Sequence, residues 1–312
     1  MRIVFCGTPE FAVPSLRRLA AEPGISVEAV LTQPDRPRGR GQLVSASPVK
    51  EAALAANLHI YQPETIKSDS AQEFLKRVAP DAVVIIAYGQ IIPGRLLTIP
   101  RLGWINLHAS LLPRYRGAAP IHWAIANGET TTGLTTMQID AGMDTGPILL
   151  QHDLEIGADE TSPELAARMS QIGAGLIVES LWRFDRGEIS PQSQDREKAS
   201  AAPILKKEDG RIDWTRVAEQ IYNRMRGFAP WPGAYSTFRG QTCQVWGRPE
   251  KIAASVESVA PGEIISSGKD VFVVCGEATR LRLDFVQLEG RKRISAREFG
   301  NGARFAAGEC FV

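Results

Sequence analysis

The hydrophobic positions in the first part of the chain form short apolar runs, separated by stretches in which apolar residues recur at helical spacing. Short apolar runs predict strands that are buried on both faces, and the stretches between them predict helices. The predicted strands are residues 2–6, 27–32, 81–87, 103–108 and 133–139. The predicted helices are residues 14–21, 49–56, 71–79 and 163–183. Strands that alternate with helices predict an α/β domain with a mostly parallel sheet covered on both faces.

The pattern changes after residue 185. Residues 186–205 mix proline, serine, glutamine and charged residues without a sustained period, which is typical of a surface linker. A helix predicted at residues 214–226 is followed by short strands, which predict a small β-barrel. These strands are residues 234–239, 242–247, 271–275 and 280–286. We therefore expect a domain over residues 1–188, a linker over 189–205 and a second domain over 206–312.

The composition is that of a globular protein. The 312 residues are 44% hydrophobic and 23% charged, which leaves room for two cores. No apolar run reaches the ~18 residues of a membrane span, and the start of the chain lacks the pattern of a signal peptide. The four cysteines include no C-x-x-C pair, which argues against a disulfide framework or a structural zinc site. We expect a cytoplasmic monomer with no membrane partner.

Two common kinds of cofactor site are not supported. The turn after the first predicted strand contains Gly7 but no G-x-G-x-x-G, so the usual dinucleotide fingerprint is missing. No pair of His, Cys or Asp residues keeps a recognised metal-ligand spacing, so we expect no metal.

Basic residues are unevenly distributed, although the net charge is only +1. Residues 1–203 contain 19 basic and 22 acidic residues, whereas residues 204–312 contain 17 and 13. Residues 33–47 form a long loop with three arginines, whose density suits phosphate contacts. The basic residues that could contact phosphates are Arg36, Arg38, Arg40, Lys206, Lys207, Arg291, Lys292 and Arg293. Short basic runs are also common on ordinary solvated surfaces, and that alternative stays open.

The most informative polar residues lie between residues 103 and 147. Asn106 and His108 alternate at the end of a predicted strand, so both side chains point to the same face. Asp140 and Asp144 follow the next predicted strand, in a turn rich in glycine. An amide, an imidazole and a carboxylate suit acyl transfer to an amine. The first two can stabilise a developing oxyanion, and the carboxylate can favour the charged imidazole and orient its ring. A histidine at a strand end and an aspartate in a turn are also common structural features. Ser110 lacks the G-x-S-x-G of a nucleophile elbow.

The run from Asn106 to Pro120, with the later run from Asp140 to Gly146, resembles the folate-dependent formyltransferase family. The resemblance implies a Rossmann-like formyltransferase domain and 10-formyltetrahydrofolate as co-substrate. It also implies that Asn106, His108 and Asp144 are catalytic. Whether His108 relays protons or only stabilises the oxyanion is left open. The residues implied in the folate site are Tyr88, Gly89, Gln90, Ile91, Ser110, Leu111, Leu112, Pro113 and Asp140.

Members of this family act on purine precursors, sugar nucleotides or methionyl-tRNA, so the motif alone does not identify the acceptor. Residues 33–47 resemble a loop that the tRNA-acting members insert at the acceptor end of the tRNA. Residues 211–214 and 228–234 resemble parts of their tRNA-binding domain, an OB-like barrel. The resemblance implies initiator methionyl-tRNA as acceptor, with the basic residues above in contact with it. The alternatives are a hydrolase that releases formate from the folate and a non-catalytic RNA- or folate-binding module.

Overall fold

A computed structural model describes residues 1–38, 43–250 and 260–312. The chain folds into two compact units. The first unit comprises Met1–Pro120, Thr131–Glu155 and Glu164–Pro203. The second comprises Ile121–Thr130, Ile156–Pro163 and Ile204–Val312.

The first unit is built on a seven-stranded sheet with the strand order β5-β2-β1-β6-β7-β8-β9, and β3 and β4 pair separately. Its strands are β1 (Arg2–Gly7), β2 (Ser26–Leu31), β3 (Arg36–Arg38), β4 (Leu43–Ser45), β5 (Ile60–Tyr61), β6 (Ala82–Ile86), β7 (Trp104–His108), β8 (Thr131–Gln138) and β9 (Ile148–Glu155). The helices up to residue 185 are α1 (Val13–Ala21), α2 (Pro48–Ala55), α3 (Asp69–Val78), α4 (Gly94–Leu97), α5 (Pro120–Ala126) and α6 (Ser162–Asp185).

The predicted Rossmann-like α/β fold is confirmed, and each predicted strand and helix of this part is present. The helices begin where the sequence provides caps. Ser47 precedes α2 and accepts a hydrogen bond from the Lys50 N–H at 3.1 Å, and Ser68 does the same for Ala71 at 3.2 Å at the start of α3. β6, in the middle of the sheet, is buried along its whole length.

Two strands at one edge depart from the parallel arrangement. β8 is antiparallel to β7, and β9 is antiparallel to β8. β9 was not predicted from the sequence, because an edge strand exposes polar residues such as Gln151, His152 and Asp153 and loses the apolar run. The turn between β8 and β9 therefore carries the Asp140–Asp144 motif.

The second unit contains a six-stranded antiparallel sheet, which agrees with the predicted small β-barrel. Five strands follow the order β10-β11-β14-β13-β12, and β15 pairs with β14. The strands are β10 (Tyr235–Phe238), β11 (Gln241–Glu250), β12 (Ile264–Ser267), β13 (Asp270–Val274), β14 (Arg280–Leu288) and β15 (Ile294–Ser295), and the helices are α7 (Ala218–Gly227) and α8 (Ala296–Ala303). Trp214, Phe238, Phe299 and Phe311 pack in the core of this unit.

The start of α7 differs from the predicted start at residue 214. The backbone N–H of Thr215 donates to Asp213 Oδ1 at 3.1 Å, and the Thr215 hydroxyl contacts the same oxygen. This side-chain-capped turn competes with helical hydrogen bonding, so the helix begins only at Ala218.

No helix in the described ranges is both long enough and apolar enough to cross a lipid bilayer.

Candidate active site

His108 is the last residue of β7, and its side chain is buried. Its Nε2 lies 2.9 Å from the carbonyl oxygen of Tyr115. Because a carbonyl oxygen can only accept, Nε2 is the protonated nitrogen in this contact. Nδ1 faces Asp144, whose Oδ2 is 3.7 Å away. That separation is too long for a hydrogen bond, so Asp144 acts on the ring as a nearby negative charge.

Asp144 occupies a left-handed backbone conformation, with φ of +53°. Aspartate tolerates this conformation better than most residues. Its Oδ2 accepts a hydrogen bond from the Gly117 N–H at 2.8 Å. The carboxylate therefore connects the turn after β8 with the loop after β7. β8 ends beside the start of β7, where Gln138 pairs with Ile105. The turn after β8 nevertheless brings the Asp144 carboxylate close to His108, at the other end of β7.

Asn106 lies two residues before His108 on β7 and is half-buried. Side chains two apart on a strand share a face, so its amide lies on the same face of the sheet as the His108 ring. Within residues 1–38, 43–250 and 260–312, no group hydrogen-bonds to this amide. Its N–H groups are available to a ligand oxygen.

Residues 110–113 are held against β8 by hydrogen bonds. Thr135 Oγ1 donates to the Ser110 carbonyl at 2.6 Å and accepts from the Leu112 N–H at 3.1 Å. The Ser110 hydroxyl is fully buried and donates to the Arg114 carbonyl at 2.6 Å. Ser110 thus shapes the loop from inside, while the half-buried Leu111 and Pro113 contribute to its accessible surface.

Residues 87–92 follow β6 in a bent conformation, with positive φ at Ala87 and Gly89. The Tyr88 ring is buried, and burial raises the pKa of its hydroxyl. The backbone carbonyl of Tyr88 accepts a hydrogen bond from Gln33 Nε2 at 3.0 Å. Gln90 Oε1 holds the loop by accepting from the Ile66 N–H at 2.7 Å. Tyr88 and Gln90 therefore anchor the loop, and Ile91 is 73% exposed.

An open cleft of about 890 Å³ lies beside this loop. It is lined by residues that follow β1, β2 and β6, including Thr8, Gln33, Arg36 and Tyr88. The strand order reverses between β1 and β6, and open α/β sheets bind ligands at such a point, outside the carboxyl ends of the strands. The cleft is therefore a candidate ligand site.

Asp140 stabilises the turn that carries Asp144. Its Oδ1 accepts from the Gly142 N–H at 3.0 Å and from the Thr145 hydroxyl at 2.7 Å. Met143, which sequence reasoning did not select, is 70% exposed in the same turn.

The structure does not place the basic residues predicted to contact phosphate in a single cluster of described residues. Arg36 is exposed at the cleft, the Arg38 backbone belongs to β3, and Arg40 lies outside the described residues. In the second unit the selected residues are all exposed, and they are Lys206, Lys207, Arg291, Lys292 and Arg293. The Arg293 guanidinium lies 5.4 Å from the Trp246 ring centroid and 5.1 Å from that of Phe285.

Residues 192–202, the return segment, belong to the stretch that the sequence predicts as a linker, outside the site. The backbone of this segment pairs with Ile148 and Arg116. Ser200 Oγ accepts from the Tyr115 N–H at 2.9 Å, next to the carbonyl that holds His108. The composition of the return segment gives no signal for these contacts, because they form with residues far away in the sequence.

Comparison with known proteins identifies the family. Residues 1–181 match the model described as "Formyl transferase", and residues 204–304 match "Formyl transferase, C-terminal domain". The methionyl-tRNA formyltransferase of Solibacter usitatus (strain Ellin6076) is 53% identical over 99% of this chain and 98% of its own length. That of Geobacter metallireducens is 48% identical over 99% and 97%.

A solved N-formyltransferase from Helicobacter canadensis, in complex with folinic acid and dTDP-3-aminofucose, aligns with a TM-score of 0.63. It covers 90% of this chain and 97% of its own at 16% identity, so this likeness concerns the fold alone. The match of both family models and the high identity to full-length relatives show that the chain belongs to the formyl transferase family.

Proposed function

We propose that this protein transfers the formyl group of 10-formyltetrahydrofolate to the free amino group of initiator methionyl-tRNA. The observation that carries the proposal is the similarity over the whole chain, second unit included, to relatives named methionyl-tRNA formyltransferase. The site supports it, because Asn106 and His108 share one face of β7 and Asp144 lies 3.7 Å from His108.

In the proposed reaction the neutral α-amino group attacks the formyl carbon. An α-amino pKa of about 7.7–8.0 makes the neutral form accessible near neutral pH. The formyl oxygen becomes negatively charged as the tetrahedral intermediate forms, and the Asn106 amide donates to it. The new C–N bond then persists while the bond from carbon to the folate nitrogen breaks. The proton lost by the amine ends on that nitrogen.

His108 has one nitrogen available for this chemistry. Nε2 donates to Tyr115, so Nδ1 is the nitrogen that can face the reacting groups. A proton on Nδ1 can stabilise the oxyanion and be passed to the leaving nitrogen. The Asp144 carboxylate lies 3.7 Å from Nδ1, where it can stabilise positive charge that develops on the ring during the transfer.

The folate is assigned to the two loops of residues 88–91 and 110–113, together with Asp140 in the turn after β8. The tRNA is assigned to exposed cations, with Arg36 at the cleft in the first unit and Lys206, Lys207 and Arg291 to Arg293 in the second. The proposal places the enzyme in the cytoplasm as a monomer that uses no metal.

A transfer assay tests the proposal. The purified protein is incubated with 10-formyltetrahydrofolate alone, and then with initiator methionyl-tRNA, elongator methionyl-tRNA or another aminoacyl-tRNA. We expect formylmethionine only with methionyl-tRNA, and more with the initiator form. Formate release without tRNA would favour the hydrolase, and binding without any reaction would favour the non-catalytic module.

A further inference from the structure

The side chain of Gln194, in the return segment, bridges the loop after β7, which holds the His108 ring through Tyr115, and the turn after β8, which carries Asp144. Its Oε1 accepts from Arg116 Nη2 at 2.6 Å and from Arg116 Nε at 3.1 Å. Its Nε2 donates to the carbonyl oxygens of Asp144 at 2.9 Å and Gly146 at 2.7 Å. One amide thus uses its acceptor on the loop after β7 and its donor on the turn after β8.

This bridge matters because His108 and Asp144 do not hydrogen-bond to each other. Their separation of 3.7 Å therefore depends on the two loops that hold them. The Gly117 N–H fixes the Asp144 carboxylate, and Gln194 fixes the Asp144 backbone. The left-handed backbone of Asp144 needs such support, since conformations of this kind persist only where their surroundings hold them.

The loop after β7 is held from the same segment. The Arg116 N–H donates to the Ser200 carbonyl at 2.8 Å, and the Ala202 N–H donates to the Arg116 carbonyl at 2.6 Å. The Arg116 backbone is therefore fixed by this segment, and the Arg116 side chain donates to Gln194 from a fixed position. Gln194 is then the side chain of this segment that connects the anchored loop to Asp144.

We infer that Gln194 is a positioning residue that holds Asp144 at its working distance from His108. The inference rests on the proposed function, because it assigns a role in the same reaction. A displacement of about 1 Å in a catalytic group can cost about 100-fold in rate, so loss of the bridge lowers turnover without removing any group that touches substrate.

The test compares Gln194→Ala, Gln194→Glu and a matched control, Gln192→Ala. Among the described residues the Gln192 side chain hydrogen-bonds to Ser190, two positions away, so the control alters the same segment without touching the bridge. We expect Gln194→Ala to lower kcat at least about tenfold while both KM values stay within about twofold. Gln194→Glu keeps an acceptor for Arg116 but loses the donor to Asp144 and Gly146, so it should not restore kcat. Gln192→Ala should behave as wild type.

A double-mutant cycle separates positioning from general support. If Gln194 acts through Asp144, Gln194→Ala should cost less than about twofold in kcat when Asp144→Asn is already present. Equal losses in both backgrounds, or wild-type kcat in Gln194→Ala, would overturn the inference. Rescue by Gln194→Glu would also overturn it. Failure of the wild-type protein to formylate methionyl-tRNA would instead refute the proposed function.

Discussion

His108 Nδ1 and Asp144 Oδ2 are 3.7 Å apart, close enough for a charge interaction and beyond hydrogen-bond distance. His108 Nε2 hydrogen-bonds to the Tyr115 carbonyl, and Asp144 Oδ2 accepts a hydrogen bond from the Gly117 N–H. Each group is therefore oriented by backbone and not by its partner. A ring held in this way presents Nδ1 in a fixed direction.

Removing the imidazole tests its role directly. His108→Ala should lower turnover at least about 100-fold, because one group that stabilises an oxyanion is commonly worth that much. The measurement is single-turnover formyl transfer, with a thermal melt to show that the protein folds. His152→Ala is the matched control, since His152 is exposed on β9. Near-normal turnover in folded His108→Ala would remove His108 from the mechanism.

The charge of Asp144 can be removed while its size is kept. In Asp144→Asn the side-chain oxygen can still accept from the Gly117 N–H, but the negative charge beside His108 is gone. We expect kcat to fall at least about tenfold with little change in the melting temperature. An unchanged kcat would mean that Asp144 only shapes the turn.

Gly117 cannot carry a side chain without moving the loop. Its φ is +119°, and a Cβ there would lie 2.7 Å from the Ala202 carbonyl oxygen. Gly117→Ala should destabilise the fold by about 1–3 kcal/mol and lower kcat, since the N–H that holds Asp144 shifts. The control is Gly175→Ala in α6, where a Cβ meets nothing within 4 Å. If Gly117→Ala matched this control in both stability and kcat, the close approach would be unimportant.

Arg36 tests whether the basic loop contacts phosphate. Arg36→Ala should weaken tRNA binding and make its salt dependence shallower by about 0.7–0.9 in the log–log slope. Arg17→Ala is the control, because Arg17 is likewise an exposed arginine, on α1. The measurement is tRNA affinity against salt concentration, with folate affinity expected to stay constant. Coincident slopes for wild type and Arg36→Ala would argue that this arginine is only solvated surface.

Asp35 ties the start of the same loop to α2 and to the residue that follows β5. Its Oδ2 contacts Lys50 Nζ at 2.5 Å, and its Oδ1 accepts from Gln62 Nε2 at 3.0 Å. The hydrogen bond from Lys50, followed by that from Gln62, lowers the pKa of Asp35. A lowered folded-state pKa stabilises the fold above the unfolded value of about 3.9, and this contribution disappears as the pH falls below it.

Asp35→Asn should therefore melt slightly below the wild type at pH 7, with the difference shrinking as the pH approaches ~3. The measurement is the melting temperature of both proteins across this range. A difference that does not depend on pH would show that the charge of Asp35 is not what holds the loop.

Local sequence patterns determined the larger part of the fold and the first half of the site. The alternation of apolar runs with helical spacing predicted the strands and helices of the first unit, because burial on both faces leaves a signal within a few neighbouring residues. The spacing of Asn106 and His108 predicted a shared face for the same reason, since side-chain direction in a strand repeats every two residues. The resemblance of residues 106–120 and 140–146 to a known family supplied the expected chemistry.

Tertiary structure decided what depends on contacts between distant residues. The antiparallel direction of β8 and β9, the distance between His108 and Asp144 and the burial of Ser110 inside its own loop all fall in this class. Gln194 is the clearest case, because its partners lie 78, 50 and 48 residues away along the chain. A polar segment without periodicity carries no local sign of such contacts. The hydrogen bonds of Gln194 form only when folding brings the Arg116 loop and the Asp144 turn close together.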